Sequence, residues 1–108
     1  MSGGRSPRQK GNRLERAIVH LLQEHGFAAE RIPLSGSAGG SFAGDVTIPL
    51  LGVDRTAEVK ARKHGFQQLY QWLGENDLLI VKQDRAEPIV IIKLTLAVEI
   101  AAAAERNK

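Results

Sequence analysis

The chain contains no cysteine. Disulfides and thiolate-held metals are therefore excluded, and any metal site must use oxygen or histidine ligands. A reducing cytoplasm fits that composition. No apolar run approaches the ~20 residues that a membrane helix needs. The opening Met1–Pro7 stretch lacks the apolar segment of a secretion signal. The GxGxxG and Walker patterns are both missing, so no nucleotide cofactor is expected.

What is present describes one domain. With 43% hydrophobic and 25% charged residues, the 108-residue chain has the composition of a globular protein and the length for one core. Residues 1–9 read as a flexible basic arm and 10–108 as a single domain. The net charge of +3 is modest, but it is clustered. Arg5, Arg8, Lys10, Arg13 and Arg16 face a single acid, Glu15, and Lys60, Arg62 and Lys63 form a second group beside His64. Such clusters suit a polyanion, and equally a solvated tail and face.

Periodicity gives the order α, β, β, β, α, β, β, α. Leu14, Ile18, Leu21 and Leu22 repeat at helical spacing, between a candidate cap at Asn12 and a stop at Gly26. A short strand "FAAERIP" follows, then a soft loop from Ser35 to Gly44. Residues 45–50 and 56–61 read as a hairpin turning near Gly52. "FQQLYQWLG" reads as a helix, with Phe66, Leu69, Tyr70 and Leu73 on one face; Tyr70 and Trp72 read either as a surface for a twin subunit or as core, the core being the better place for Tyr70. "DLLIVK" and "PIVIIKL" read as buried strands, and "LAVEIAAAAERNK" as a last helix. His20 and His25 do not share a face and read as structural. The economical architecture is α/β, a mixed central β-sheet flanked by helices.

The hairpin carries the chemistry. Strand side chains alternate between faces, so Val46, Ile48 and Leu50 point one way and Asp45 and Thr47 the other. Both apolar sets must meet the same core, which puts Asp45, Glu58 and Lys60 together on the opposite side. Asp45 and Glu58 become roughly opposed, about 5 Å apart at Cβ. Two carboxylates so close repel unless a cation joins them. Oxygen-only ligands suit Mg²⁺, or Mn²⁺ in its place, in a site for phosphodiester hydrolysis with Lys60 steadying water or phosphate. On spacing alone the simpler reading is a salt bridge between Lys60 and one acid.

Asp45 followed by Glu58-Val59-Lys60 on a hairpin after a helix resembles the PD-(D/E)xK nucleases. "KGNRLER", "RIPLSGS" and "EVKARK", in that order, resemble the archaeal-type Holliday junction resolvases, which also occur in viruses. The likeness covers residues 10–64 and weakens beyond them, and Gly44 stands where the family has proline. It implies a restriction-endonuclease-like core for the 10–108 nuclease domain. Glu15, Asp45, Glu58 and Lys60 would be catalytic, with Asp45, Glu58 and the Val59 carbonyl as metal ligands. Arg16, Arg31 and Ser35 or Ser37 would contact DNA, joined by Lys10, Arg13, Arg62 and Lys63 from the basic clusters. The implied enzyme is a Mg²⁺-dependent homodimer cutting four-way DNA junctions in a cytoplasm, a host's cytoplasm if viral. The rivals are a related nuclease acting on flaps, ends or duplex, and a non-catalytic DNA-binding domain of the same fold.

Overall fold

The computed structural model describes residues 7–32 and 45–108, with side chains from residue 11 onward. Ser35 and Ser37, expected at the DNA, lie outside the described residues, as do residues 1–6 of the expected arm. Helix α1 spans Pro7–Glu24. It starts inside the segment read as an arm, and ahead of Asn12. Proline is well suited to a first helical turn, where its missing N–H has no intrahelical acceptor to lose.

The end of α1 shows how local sequence builds the core. Gly26 takes a φ of 92°, a conformation open to glycine without a Cβ penalty. The Gly26 N–H then reaches the Gln23 carbonyl and the Phe27 N–H the Leu22 carbonyl, both at 3.0 Å. This is a Schellman closure, and its usual apolar contact is Phe27 with Leu22, both buried in one cluster.

Strands β1 (Glu30–Arg31), β2 (Val46–Leu50) and β3 (Val53–Ala57) form an antiparallel sheet in the order β1-β2-β3. Leu51 (φ 54°) and Gly52 (φ 79°) make the two-residue turn between β2 and β3. Two successive positive φ values match the twist of a tight hairpin. Leu51 is a strained occupant, and its N–H is held at 2.6 Å by Glu105 Oε2. That carboxylate belongs to α3, which spans Leu94–Arg106.

Strand β3 begins and ends earlier than the 56–61 read from sequence. The short turn starts it at Val53. Beyond Ala57 the next tie to β2 is made by a side chain, because the Val59 N–H donates to Asp45 Oδ2 at 2.8 Å. A carboxylate takes the place of a ladder carbonyl, and regular pairing stops.

Val46, Ile48, Leu50, Ala57 and Val59 face one core with Ile18, Leu22 and Phe27 of the α1 region and Val98, Ala101 and Ala102 of α3. Val46 is fully buried. The two helices thus cover one face of the sheet and leave the polar face of the hairpin open.

The remaining elements depart from expectation. Helix α2 (Gln67–Leu73) buries Leu73, but Tyr70 is 73% exposed, contrary to its expected place in the core. Strands β4 (Leu78–Val81) and β5 (Ile89–Ile92) pair antiparallel in a sheet of their own. Instead of one mixed central sheet, the described residues hold two antiparallel sheets. Nor are β4 and β5 buried: Ile80 is 64% and Ile89 60% exposed. Their apolar pattern is real, but within one chain only part of it is covered. No helix among the described residues is long and apolar enough to cross a membrane.

Candidate active site

Asp45 opens the middle strand of three, so its backbone is held from both sides. Its N–H donates to the Ala57 carbonyl at 2.7 Å, and its carbonyl accepts the Ile32 N–H at 2.9 Å. Register pairs Val46 with Ala57. The Asp45 N–H thus meets Ala57, the residue already paired with Val46, so the regular register is not carried on to Glu58. The side chain of Asp45 is half-buried, with Oδ2 fixed by the Val59 N–H. A carboxylate held by two strands and one hydrogen bond has little freedom, which is what a ligand or a catalytic group requires.

Glu58 and Lys60 flank Val59, whose N–H holds Asp45. Lys60 Nζ lies 3.2 Å from Glu58 Oε2, and both side chains are about half exposed. The bridge between them is the simple partner arrangement that spacing alone allowed. Exposed pairs of this kind contribute little to stability, so this one leaves both groups free to exchange partners.

Glu15 is placed differently. Arg31 Nε donates to Glu15 Oε1 at 3.1 Å, and Arg31 Nη2 donates to Asn12 Oδ1 at 2.9 Å. Asn12 and Glu15 are three residues apart on α1, hence on one helix face. Arg31 clips that face to β1 immediately beside Asp45, because its register partner is Val46. Glu15, Asp45 and Glu58 do not gather into a single three-acid cluster; no such cluster occurs among the described residues. The structure instead joins Glu15 to Arg31 and Asn12, Asp45 to Val59, and Glu58 to Lys60.

The basic residues fall in two places. Arg13 and Arg16 are exposed on α1; Lys10 lies in α1, its side chain outside the described residues. Arg62 and Lys63 are exposed in the connection from β3 to α2, where with Lys60 they line an open groove of about 540 Å³ floored by Leu14 and Phe66. His64 Nδ1 sits 3.3 Å from Gln67 Nε2, while Gln67 Oε1 accepts the Gly65 N–H at 2.6 Å. His20 pairs with Glu24 at 3.8 Å, and His25 Nδ1 lies 2.9 Å from the Leu21 carbonyl, which agrees with structural roles for both.

Sequence reasoning missed Asn12 as a partner of Arg31 and read it only as a helix cap. Its i, i+3 spacing from Glu15 was the available signal. Gln67, which organises the turn before α2, carried none.

A small α/β domain with two carboxylates and a lysine on the open face of a hairpin, flanked by a basic groove, is the class that fold and site define. Residues 6–99 match the family model "Archaeal holliday junction resolvase (hjc)", and the chain belongs to that family. The match continues past residue 64, where the sequence motifs fade, through β4 and β5 into α3. Two curated relatives bear the name "Crossover junction endodeoxyribonuclease Hjc". That of Sulfurisphaera tokodaii is 40% identical over 65 residues, 60% of this chain and 44% of the relative. That of Sulfolobus acidocaldarius is 42% identical over 60 residues, 56% of this chain and 42% of the relative. The matched stretch therefore spans less than half of either relative. No solved structure matches.

Proposed function

We propose that this protein is a divalent-metal-dependent, structure-selective endodeoxyribonuclease that resolves four-way (Holliday) DNA junctions, with Mg²⁺ as its ion and Mn²⁺ as a working substitute. One observation carries the reading. Asp45 is locked at the head of the central strand, its Oδ2 bonded to the N–H of Val59, the residue between Glu58 and Lys60, which pair with each other at 3.2 Å. Family membership and the names of the two relatives point the same way. The reading includes a restriction-endonuclease-like core, for which α1 packed on the β1–β3 sheet supplies the site-bearing hairpin.

The donor set fits a hard cation. Asp45 and Glu58 offer carboxylate oxygens and Val59 its carbonyl, and Mg²⁺ is commonly held by one or two carboxylates plus substrate phosphate. When bound, such an ion offsets phosphate charge and makes water a stronger nucleophile at neutral pH. The protein's own groups do the rest. Lys60 exchanges Glu58 for the scissile phosphate and stabilises the charge that builds there. The water oxygen bonds to phosphorus and gives up its proton as the P–O3′ bond breaks, and the leaving oxygen takes up a proton, leaving a 5′-phosphate and a 3′-hydroxyl. Glu15 is a further acid of the site, oriented by Arg31 and Asn12; that pairing makes aiming Glu15 a better role for Arg31 than a loose phosphate contact. Lys10, Arg13, Arg16, Arg62 and Lys63 hold the DNA backbone, which positions a substrate without reading its sequence; Ser35 and Ser37 belong to the same proposal. The enzyme works as a homodimer, so that two sites cut opposed strands. The exposed apolar residues of β4 and β5, Leu78, Ile80, Ile89 and Val90, support a partner of that kind. The working compartment is the cytoplasm, and the process served is DNA recombination and repair.

The test is a cleavage assay with Mg²⁺ on a four-way junction, a Y fork and a linear duplex of one sequence. Junction cutting should dominate. Asp45→Asn should abolish it and leave junction binding within about threefold, because an amide oxygen still accepts the Val59 N–H. Asp45→Asn protein that cuts at the wild-type rate would sink the site assignment.

A further inference from the structure

The groove beside Lys60 has two kinds of wall. Arg62 and Lys63, with Lys60 that is paired to Glu58 at 3.2 Å, supply cations, while Leu14, Phe66 and Tyr70 supply apolar surface. No carboxylate is among its described lining residues, and residues 1–10 and 33–44 contain neither Asp nor Glu. Cations alone would make a track for phosphates. The aromatic ring is what such a track does not need. Tyr70 is 73% exposed although its own helix buries Leu73 close by. Tyr70 is thus a large, stiff ring standing at the edge of a basic groove.

We propose that this groove reads the branch point of DNA, with Tyr70 stacking on a base face that strand exchange uncovers while Arg62 and Lys63 hold the adjoining phosphates. The proposal rests on the reading of the protein as a junction nuclease and names what gives it structure selectivity. In continuous duplex each base is covered above and below, so Tyr70 finds no face to meet. Around the centre of a four-way junction the flanking pairs lose a stacking neighbour, and a face opens. Stacking of this kind tolerates any sequence, since every base has a π-face, and is worth about 1–3 kcal/mol per base by alanine substitution. The cations act on all DNA alike, and the ring acts only where stacking is broken. The phenolic hydroxyl has no part, so phenylalanine should serve as well. Tyr70 also borders an apolar recess of about 430 Å³ with Phe66, Leu69, Leu73 and Ile91. A protein surface is therefore the competing occupant.

The experiment uses the full chain with Asp45→Asn, so that binding is read without cutting. Dissociation constants are measured for a four-way junction and a linear duplex of the same sequence, with 2-aminopurine at the branch-point pair as a local reporter. Tyr70→Ala should weaken junction binding roughly 5- to 150-fold, leave duplex binding within about twofold, and abolish the 2-aminopurine response. Tyr70→Phe should behave as wild type. Tyr70→Leu, which keeps apolar bulk without the ring, should match alanine and guards against a folding artefact. Equal losses on junction and duplex, no loss on either, or failure of phenylalanine to rescue would overturn the proposal. So would a junction defect that tracks a change of oligomeric state in sedimentation. The nuclease reading fails separately, if the protein with Asp45 intact cuts no DNA.

Discussion

Arg31 and Glu15 offer the sharpest test of how the site is held. Their Nε–Oε1 contact is 3.1 Å, the second guanidinium arm reaches Asn12 at 2.9 Å, and the side chains keep only 32% and 15% of their exposure. A fully exposed ion pair contributes about 0.2–1 kcal/mol, and a hydrogen bond to a charged group about 1.5–3 kcal/mol. The partial burial places this pair between the two, at roughly 1–1.5 kcal/mol of coupling. Arg31→Ala should cost more than that, about 1.5–3 kcal/mol, because Glu15 and Asn12 both lose their partner. Arg31→Lys keeps the charge, but a single ammonium lacks the rigid fork that spans two acceptors. The assay is a double-mutant cycle of Glu15→Gln and Arg31→Ala in urea, followed by circular dichroism. Coupling below about 0.3 kcal/mol, the noise of additivity for independent sites, would refute the clip. The same variants report on function. If Arg31 aims Glu15, Arg31→Lys lowers the cleavage rate more than junction affinity and leaves the salt slope unchanged. A fall in that slope of about one would instead make Arg31 a phosphate contact.

Other outcomes follow from the same structure. Arg62→Ala and Lys63→Ala should each weaken binding to junction and duplex in parallel, and reduce the salt slope by about one for each phosphate no longer neutralised; titration in about 50–200 mM salt measures it. Leu22→Ala should cost about 2–5 kcal/mol, because it opens the core and breaks the helix-end packing with Phe27; urea unfolding decides. The Leu51 N–H holds the Glu105 carboxyl below its ordinary value of 4.5, partial desolvation opposes this, and Lys108 adds to it. A lowered folded-state pKa means stability that is present above about pH 4.5 and fades as acid protonates the group. Glu105→Gln should therefore flatten the acid limb of a stability–pH curve, and an unchanged limb would remove Glu105 from the turn.

Much of the hairpin was legible because its rules are local. Alternation put Val46, Ile48 and Leu50 toward the core, and Gly52 marked the turn, so the register from Val46 to Ala57 followed. The end of β3 was not legible, since pairing there stops through a hydrogen bond between a side chain and a backbone fourteen positions away. "DLLIVK" and "PIVIIKL" announced strands correctly, but an apolar run says that a surface avoids water and not what covers it. Tyr70 failed for the same reason. Its helical phase matched the buried Leu73, yet the ring stands 73% exposed. Arg31 was legible as a charge near the site, whereas its partners depended on how α1 lies across β1.

The tether from Leu51 to Glu105 also bears on the order in which the chain is made. The ribosome emits the acid-bearing ribbon well before the last helix. Until that helix arrives, the ribbon's bend is unclipped and its left-handed leucine unsupported. The setting of that bend should therefore wait for α3, whose carboxylate lies 54 positions further along the chain.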